Sequence, residues 1–163
     1  MERILKKIYE NKKRWMMLRN MSLVFSFTVA AFFGLELLLL VLEFRFLDAL
    51  IVAGAAAAGY VAVTVARHII NAKRPYEVYD FYDVPPKDKK GHSFPSRHSY
   101  SAFVISVLSY LLGLPICIGV SILSVGVAVC RALSGMHFVR DVLVGALVGI
   151  AFGGAGLALA IIF

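Results

Sequence analysis

Long apolar runs follow one another through this chain, and no other feature limits its fold so sharply. Crossing a bilayer takes about 20 mainly apolar residues. Inside lipid every backbone polar group must be satisfied by the protein, which leaves helices or closed barrels. Met21–Leu42 is the first run, flanked by Arg19 and by Glu43 and Arg45. It is too long and too late in the chain for a signal peptide. Leu47–Ala66 is the second, and its Ala- and Gly-rich stretch predicts a helix inside the bundle, closely approached by its neighbours. Ser99–Leu114 is a short third run, a fourth opens at Pro115 and stays apolar to Arg131, and Val142–Phe163 is the fifth. In the fifth, Gly145, Gly149 and Gly153 recur every four residues and predict a packed helix face. At 60% hydrophobic and 17% charged residues, the chain is neither an ordinary soluble domain nor disordered. The expected fold is an all-α integral membrane bundle of about five transmembrane helices.

Residues 1–20 are basic, and Ile4, Ile8, Trp15 and Leu18 fall near one helical face. This pattern predicts an amphipathic interfacial helix, followed by a transmembrane domain over 21–163. The polar stretch 67–98 is the long loop of that domain and the expected catalytic loop. Cys117 and Cys130 both lie in the fourth run and read as small buried hydrophobes, not a disulfide. The positive balance, 17 Lys+Arg against 10 Asp+Glu, points to phosphate groups or anionic lipid headgroups. Nucleic acid is not an expected partner, because basic and aromatic residues are not interleaved.

Counting alternately across five spans places 16 of the 17 basic residues on one face, with only Arg45 opposite. His92, His98 and His137 lie on the same face, with His68 near it. Arginine beside hydrocarbon is costly unless paired or solvated, so this face is where an anionic ligand is expected.

Three blocks on that face carry chemistry. In the first, Arg67 and Arg74 are seven residues apart, two turns if the second helix continues to Pro75. Two guanidinium groups so placed can converge on one oxyanion or simply snorkel at a span end. The second is Phe94-Pro95-Ser96-Arg97-His98-Ser99 ahead of an apolar helix. Ser96 is a plausible N-cap, the first-turn N–H groups favour an anion, and His98 can give a proton there. The third runs from Cys130-Arg131 through Gly135 and His137 to Asp141. Gly135 permits a turn, and a carboxylate four residues from an imidazole suits a nucleophilic histidine. Taken alone, the second and third blocks also fit a capped helix start and an exposed His–Asp pair.

Together the blocks resemble the type 2 phosphatidic acid phosphatase and vanadium haloperoxidase superfamily, in its integral membrane lipid phosphatase branch. That family's pattern is Lys, six residues, Arg-Pro; then Pro-Ser-Gly-His; then Ser-Arg, five residues, His, three residues, Asp. The spacings are intact here over 75 of the 163 residues, with Arg67 for Lys, Arg97 for Gly and Cys130 for Ser. Arg97 is expected in a helical first turn, because a left-handed backbone is unfavourable for arginine.

The resemblance implies a lipid phosphate phosphatase acting on a polyprenyl diphosphate, phosphatidylglycerophosphate or phosphatidate. In that chemistry His137 attacks phosphorus to form a phosphohistidine, Asp141 orients it, and His98 protonates the leaving oxygen. Arg67, Arg74, Arg131 and the amides of Ser96 and Arg97 hold the phosphoryl oxygens. No metal and no cofactor is expected, because no carboxylate cluster of the kind that holds Mg²⁺ is evident; membrane lipids and the lipid phosphate are the expected partners. Two alternatives stand beside it: a lipid-linked phosphotransferase with the same intermediate, and a small transporter or haem-binding protein. The resemblance suggests an extracytoplasmic site, whereas the basic bias predicts a multi-pass protein of the cell membrane with its site in the cytoplasm. Glu36, inside the first span, is expected to be neutral and structural. Tyr76, Tyr79, Phe81 and Tyr82 read either as an interfacial aromatic belt or as a lipid-entry lip.

Overall fold

The computed structural model describes residues 2–79 and 90–163, and these residues are helical without strands. The helices are α1 (Glu2–Tyr9), α2 (Lys12–Leu42), α3 (Phe46–Ile70), α4 (Pro75–Val78), α5 (Arg97–Leu108), α6 (Leu114–Leu133) and α7 (Val139–Ile162). Four stretches are long and apolar enough to cross a membrane: Lys12–Leu42, Phe46–Val78, Leu114–Leu133 and Val139–Ile162. Their outward faces carry exposed Leu50, Val61, Ile122 and Leu147, the surface a lipid solvent favours.

Between the second and third of these stretches lies the shorter α5, continued by the 3₁₀ turn Ser109–Leu112. Its helical part rises roughly 18 Å and the turn adds about 8 Å. It runs from the basic end of the bundle to Gly113, and α6 returns from there to Arg131. This short helix is the interior one, packed by α2, α3, α6 and α7. Tyr100, Val104 and Leu108 are almost fully buried.

The Ala-rich α3 is not interior, contrary to the expectation from its small residues. Val52, Gly59, Val63 and Arg67 form one packed stripe, while Leu50, Val61 and Val65 are exposed. Its small residues make room on that stripe: the Tyr100 hydroxyl donates to Ala56 O at 2.8 Å, and a Cβ at Gly156 would meet Ala55. The glycine stripe of α7 lies against α5, as its spacing predicted. A Cβ on Gly149 would stand 2.6 Å from Tyr100 O, and one on Gly153 2.8 Å from Val107 Cβ.

Two helix boundaries differ from the sequence expectation. The N-terminal helix breaks at Glu10-Asn11, not near residue 20, because the Asn11 side chain caps α2 by accepting from Lys13 N (3.1 Å) and Arg14 N (3.2 Å). Residues 12–20 therefore belong to the first long helix. At the other boundary, α3 stops at Asn71, which is left-handed and donates its N–H to Arg67 O. Arg67 and Arg74 consequently do not share a helix face. Phe81, Tyr82 and most of the charged run 87–90 lie outside the described residues. Cys117 and Cys130 are free.

Candidate active site

The four ends that meet at the basic face are the last turn of α3, the first turn of α5, the last turn of α6 and the first turn of α7. Arg67 reaches inward from α3 and is 5% exposed. Its Nη1 donates to Pro95 O at 2.6 Å and lies 3.4 Å from Ser93 O. Arg74, just ahead of Pro75, arrives from the loop: its Nε donates to Gly91 O (3.0 Å) and its Nη1 to Met136 O (3.4 Å). Glu77 fixes this segment by accepting from Arg74 N (2.8 Å) and Gly91 N (2.9 Å). Each arginine keeps further N–H donors beyond these backbone bonds. Arg131 differs: it is buried, and its Nε has no hydrogen-bond partner among the described residues.

His137 lies in the turn between α6 and α7, which Gly135 makes with a positive φ of 64°. The imidazole is 3% exposed. Its Nδ1 is 2.8 Å from Ser93 O, so that nitrogen carries the proton and donates it. Nε2 then holds the lone pair and has no hydrogen-bond partner among the described residues. Burial holds this imidazole below the usual histidine value; the Arg74 and Arg67 charges push the same way, against the opposing pull of Asp141.

Asp141 does not hold His137 directly. Its Oδ2 is 3.8 Å from Nδ1, too far for a hydrogen bond. The helix starts at Val139, later than the direct pairing requires, so Asp141 becomes an N-terminal cap of α7 and accepts from Phe138 N at 3.0 Å. The same oxygen accepts from Ser93 Oγ at 2.5 Å. Ser93 thus links the two: its hydroxyl is tied to Asp141 and its carbonyl to His137. It is fully buried, and no motif or spacing in the sequence marks it.

Ser96 caps α5 as expected, accepting from Ser99 N at 3.4 Å. Its own N–H, expected to bind a phosphoryl oxygen, instead donates to Asp141 O at 2.8 Å. The close approach of α7 at Gly145 brings that carbonyl within reach. The N–H groups left for an anion are those of Arg97 and His98, in the first turn of α5. Arg97 is helical there, as its departure from glycine implied. The His98 ring is exposed and lines a cavity of about 230 Å³ between α2, α3 and α5. The charges that act on it are those of Arg131, His137, Arg97 and Arg67.

His92 sits beside the site, not in it: Nδ1 is 3.0 Å from Arg67 O, and the ring lies tilted against His68, 4.7 Å between centroids. The N-terminus also contributes. The Tyr9 hydroxyl and Trp15 Nε1 (3.2 Å) both donate to Ser134 O, midway between Arg131 and His137. Leu5, Tyr9 and Trp15 form a buried cluster with Ile8, Tyr76 and Tyr79 against it. The apolar face that carries Ile8 and Trp15, expected to lie on the membrane surface, is the sequence signal for this contact. Among the described residues no group of three His, Cys, Asp or Glu side chains is placed to hold a metal ion. Glu36 is fully buried at the other end of the bundle, with neither carboxylate oxygen hydrogen-bonded to a described residue.

The model of the PAP2 superfamily matches residues 48–160, which include the arginines, serines, histidines and Asp141 of the site but not Tyr9 and Trp15. The chain belongs to the PAP2 superfamily. It is a multi-pass membrane protein of that family. Two solved structures share its fold. LpxE of Aquifex aeolicus superposes with a TM-score of 0.70 at 23% identity, covering 96% of this chain and 93% of that one. A transmembrane PAP2-type phosphatidylglycerolphosphate phosphatase from Bacillus subtilis gives 0.71 at 19% identity, covering 97% and 83%. No curated protein matches the sequence.

Proposed function

We propose that this PAP2 protein is a membrane lipid phosphatase that works through a phosphohistidine and without a metal ion. The observation that carries this reading is the buried Arg131, whose Nε lacks a partner in a cluster that also holds Arg67, Arg74 and a neutral, Nδ1-protonated His137. A buried guanidinium with an unmade hydrogen bond is costly, and a phosphoryl group supplies both the acceptor and the negative charge. The name of one structural neighbour, a phosphatidylglycerolphosphate phosphatase, favours a phospholipid or another lipid phosphate as substrate.

In this reaction His137 Nε2 attacks phosphorus in line with the leaving oxygen. The phosphorus–oxygen bond breaks, its electron pair stays on the oxygen, and His98 supplies the proton. The Nδ1–H bond to Ser93 O stabilises the positive charge that His137 gains, and Asp141 holds Ser93 in place. His98 then removes a proton from the water that attacks the phosphohistidine, releasing phosphate and restoring both histidines. Arg67, Arg74, Arg131 and the Arg97 and His98 amides neutralise charge on the transferred group, where most of the catalysis in phosphoryl transfer arises. The basic bias of this face favours a cytoplasmic site, and the Trp15–Ser134 bond puts the basic N-terminal segment on the same side.

The test uses purified protein in detergent with lipid phosphates, scoring inorganic phosphate and the acid-labile phosphoenzyme. His137→Ala should form no phosphoenzyme, and His98→Ala should retain some with an acidic leaving group. Activity should survive EDTA and be blocked by vanadate. Substantial turnover in His137→Ala, or loss in EDTA that Mg²⁺ restores, would sink the reading. A labelled lipid in place of free phosphate when an acceptor is added would instead indicate a phosphotransferase.

A further inference from the structure

The cavity of about 230 Å³ is lined by Ser26, Val29, Ala30, Tyr60, Arg97, His98, Ser101, Ala102 and Ile105. His98 is the single site histidine on its wall; His137, Arg67, Arg74 and Arg131 are not among its lining residues. If His98 protonates the leaving oxygen, the cavity lies on the leaving-group side of the reaction. It is smaller than the roughly 300–1,000 Å³ of pockets that enclose a drug-sized ligand. It therefore suits the head of a leaving group, with the tail continuing into the bilayer.

Besides the His98 imidazole, the polar groups on its wall are one cation and three hydroxyls. The Arg97 guanidinium lies over the Tyr60 ring at 5.7 Å, and its Nη1 reaches the Tyr60 hydroxyl at 3.4 Å. No carboxylate pairs with Arg97 among the described residues. The Tyr60 ring and hydroxyl position the guanidinium while leaving its other N–H groups to meet an acceptor. A neutral glycerol would need only the hydroxyls of Ser26, Tyr60 and Ser101. A fixed cation beside the proton donor, additional to the three arginines around His137, matches a leaving group that is itself an anion.

We infer that Arg97, held by Tyr60, reads a second phosphate, so that the preferred substrates are lipid diphosphates. This rests on the phosphatase reading. His137 Nε2 would attack the terminal phosphorus and the bond from that phosphorus to the bridging oxygen would break. The bridging oxygen would keep the electron pair, take the proton of His98 and leave as part of a lipid monophosphate. Arg97 would stabilise the charge on that departing phosphate, so its effect belongs to diphosphates and not to monoesters.

The experiment compares a polyprenyl diphosphate with the polyprenyl monophosphate of the same chain length, in wild type, Arg97→Gln, Arg97→Lys and Tyr60→Phe. Wild type should favour the diphosphate in kcat/KM. Arg97→Gln should lower the diphosphate-to-monophosphate ratio about tenfold, the worth of one charge-assisted hydrogen bond, and Arg97→Lys should restore part of it. Tyr60→Phe should lower the ratio less, since the ring remains. Thermal unfolding in detergent reports whether each variant is folded. A wild-type preference for the monophosphate, or an unchanged ratio in folded Arg97→Gln, overturns the inference and leaves the phosphatase reading standing. Phosphate release from neither lipid by wild type overturns the inference, and the phosphatase reading falls with it if phosphatidate and phosphatidylglycerophosphate release none either.

Discussion

A single methyl group on Gly149, three turns into α7 and away from every reacting atom, should slow the proposed reaction. The glycine lies where α7 crosses α5, and an alanine Cβ there would stand 2.6 Å from Tyr100 O, 3.0 Å from Val104 N and 3.1 Å from Phe103 Cβ. Ordinary contact begins near 3.4 Å, so the helices must part by about 0.8 Å against the carbonyl. Backbone atoms in a helix cannot step aside as a side-chain tip can. Overpacking of this kind costs about 1–3 kcal/mol, against roughly 1 kcal/mol gained from replacing helical glycine with alanine. The net is a destabilisation of about 0–2 kcal/mol. The kinetic effect should be larger, because α5 carries His98 and α7 carries Asp141, and the two helices are joined by the Ser96 N–H to Asp141 O bond. A misplacement approaching 1 Å between proton donor and nucleophile can cost on the order of 100-fold in rate. The assay is kcat for phosphate release, with thermal unfolding in the same detergent. Gly119→Ala is the control, since its Cβ would meet nothing within 4 Å, and it should be neutral or slightly stabilising. Wild-type kcat and unfolding temperature in Gly149→Ala would refute the claim that this seam sets the spacing of the site.

The His137 imidazole is held below the usual histidine value, so its neutral, nucleophilic form persists as pH falls. The acid limb of kcat/KM should lie below about pH 6.5, and a limb at or above that value would contradict the assignment. Ser93→Ala removes the hydroxyl bonded to Asp141 and keeps the carbonyl facing His137; kcat should fall about tenfold, and an unaltered kcat would show that Asp141 does not act through Ser93. Replacing both Tyr9 and Trp15 with Phe removes the two donors on Ser134 O, which should cost about 1–3 kcal/mol of stability and lower kcat; unchanged unfolding would mean that the N-terminal segment does not brace the catalytic turn. A cysteine at exposed Lys73, in a background lacking Cys117 and Cys130, should react with an impermeant maleimide only after cells are lysed; labelling of intact cells would reverse the proposed orientation.

The sequence by itself determined the all-helical membrane architecture, because a bilayer selects for continuous apolar length and that property is local to each segment. It also marked the residues proposed to carry the chemistry. Charges and histidines are costly near hydrocarbon, so Arg67, Arg74, His98, Arg131, His137 and Asp141 stand out from the apolar background with their spacing intact. The glycine repeat of α7 declared a packed face because small residues at four-residue spacing let a neighbouring helix approach closely. Tertiary structure decided which groups bond to which. Ser93 joins Asp141 to His137, and Ser96 spends its N–H on Asp141 O, because α5 and α7 approach within backbone contact at Gly145 and Gly149. No local pattern encodes an interhelical distance of that kind. The interior position of α5 over the more Ala-rich α3 was likewise decided by packing, since burial within a bundle depends on neighbours on all sides and not on a helix's own composition. The folding of Tyr9 and Trp15 onto Ser134 follows the same rule: amphipathicity announced a face to be covered, and only the assembled bundle supplied the carbonyl that it covers.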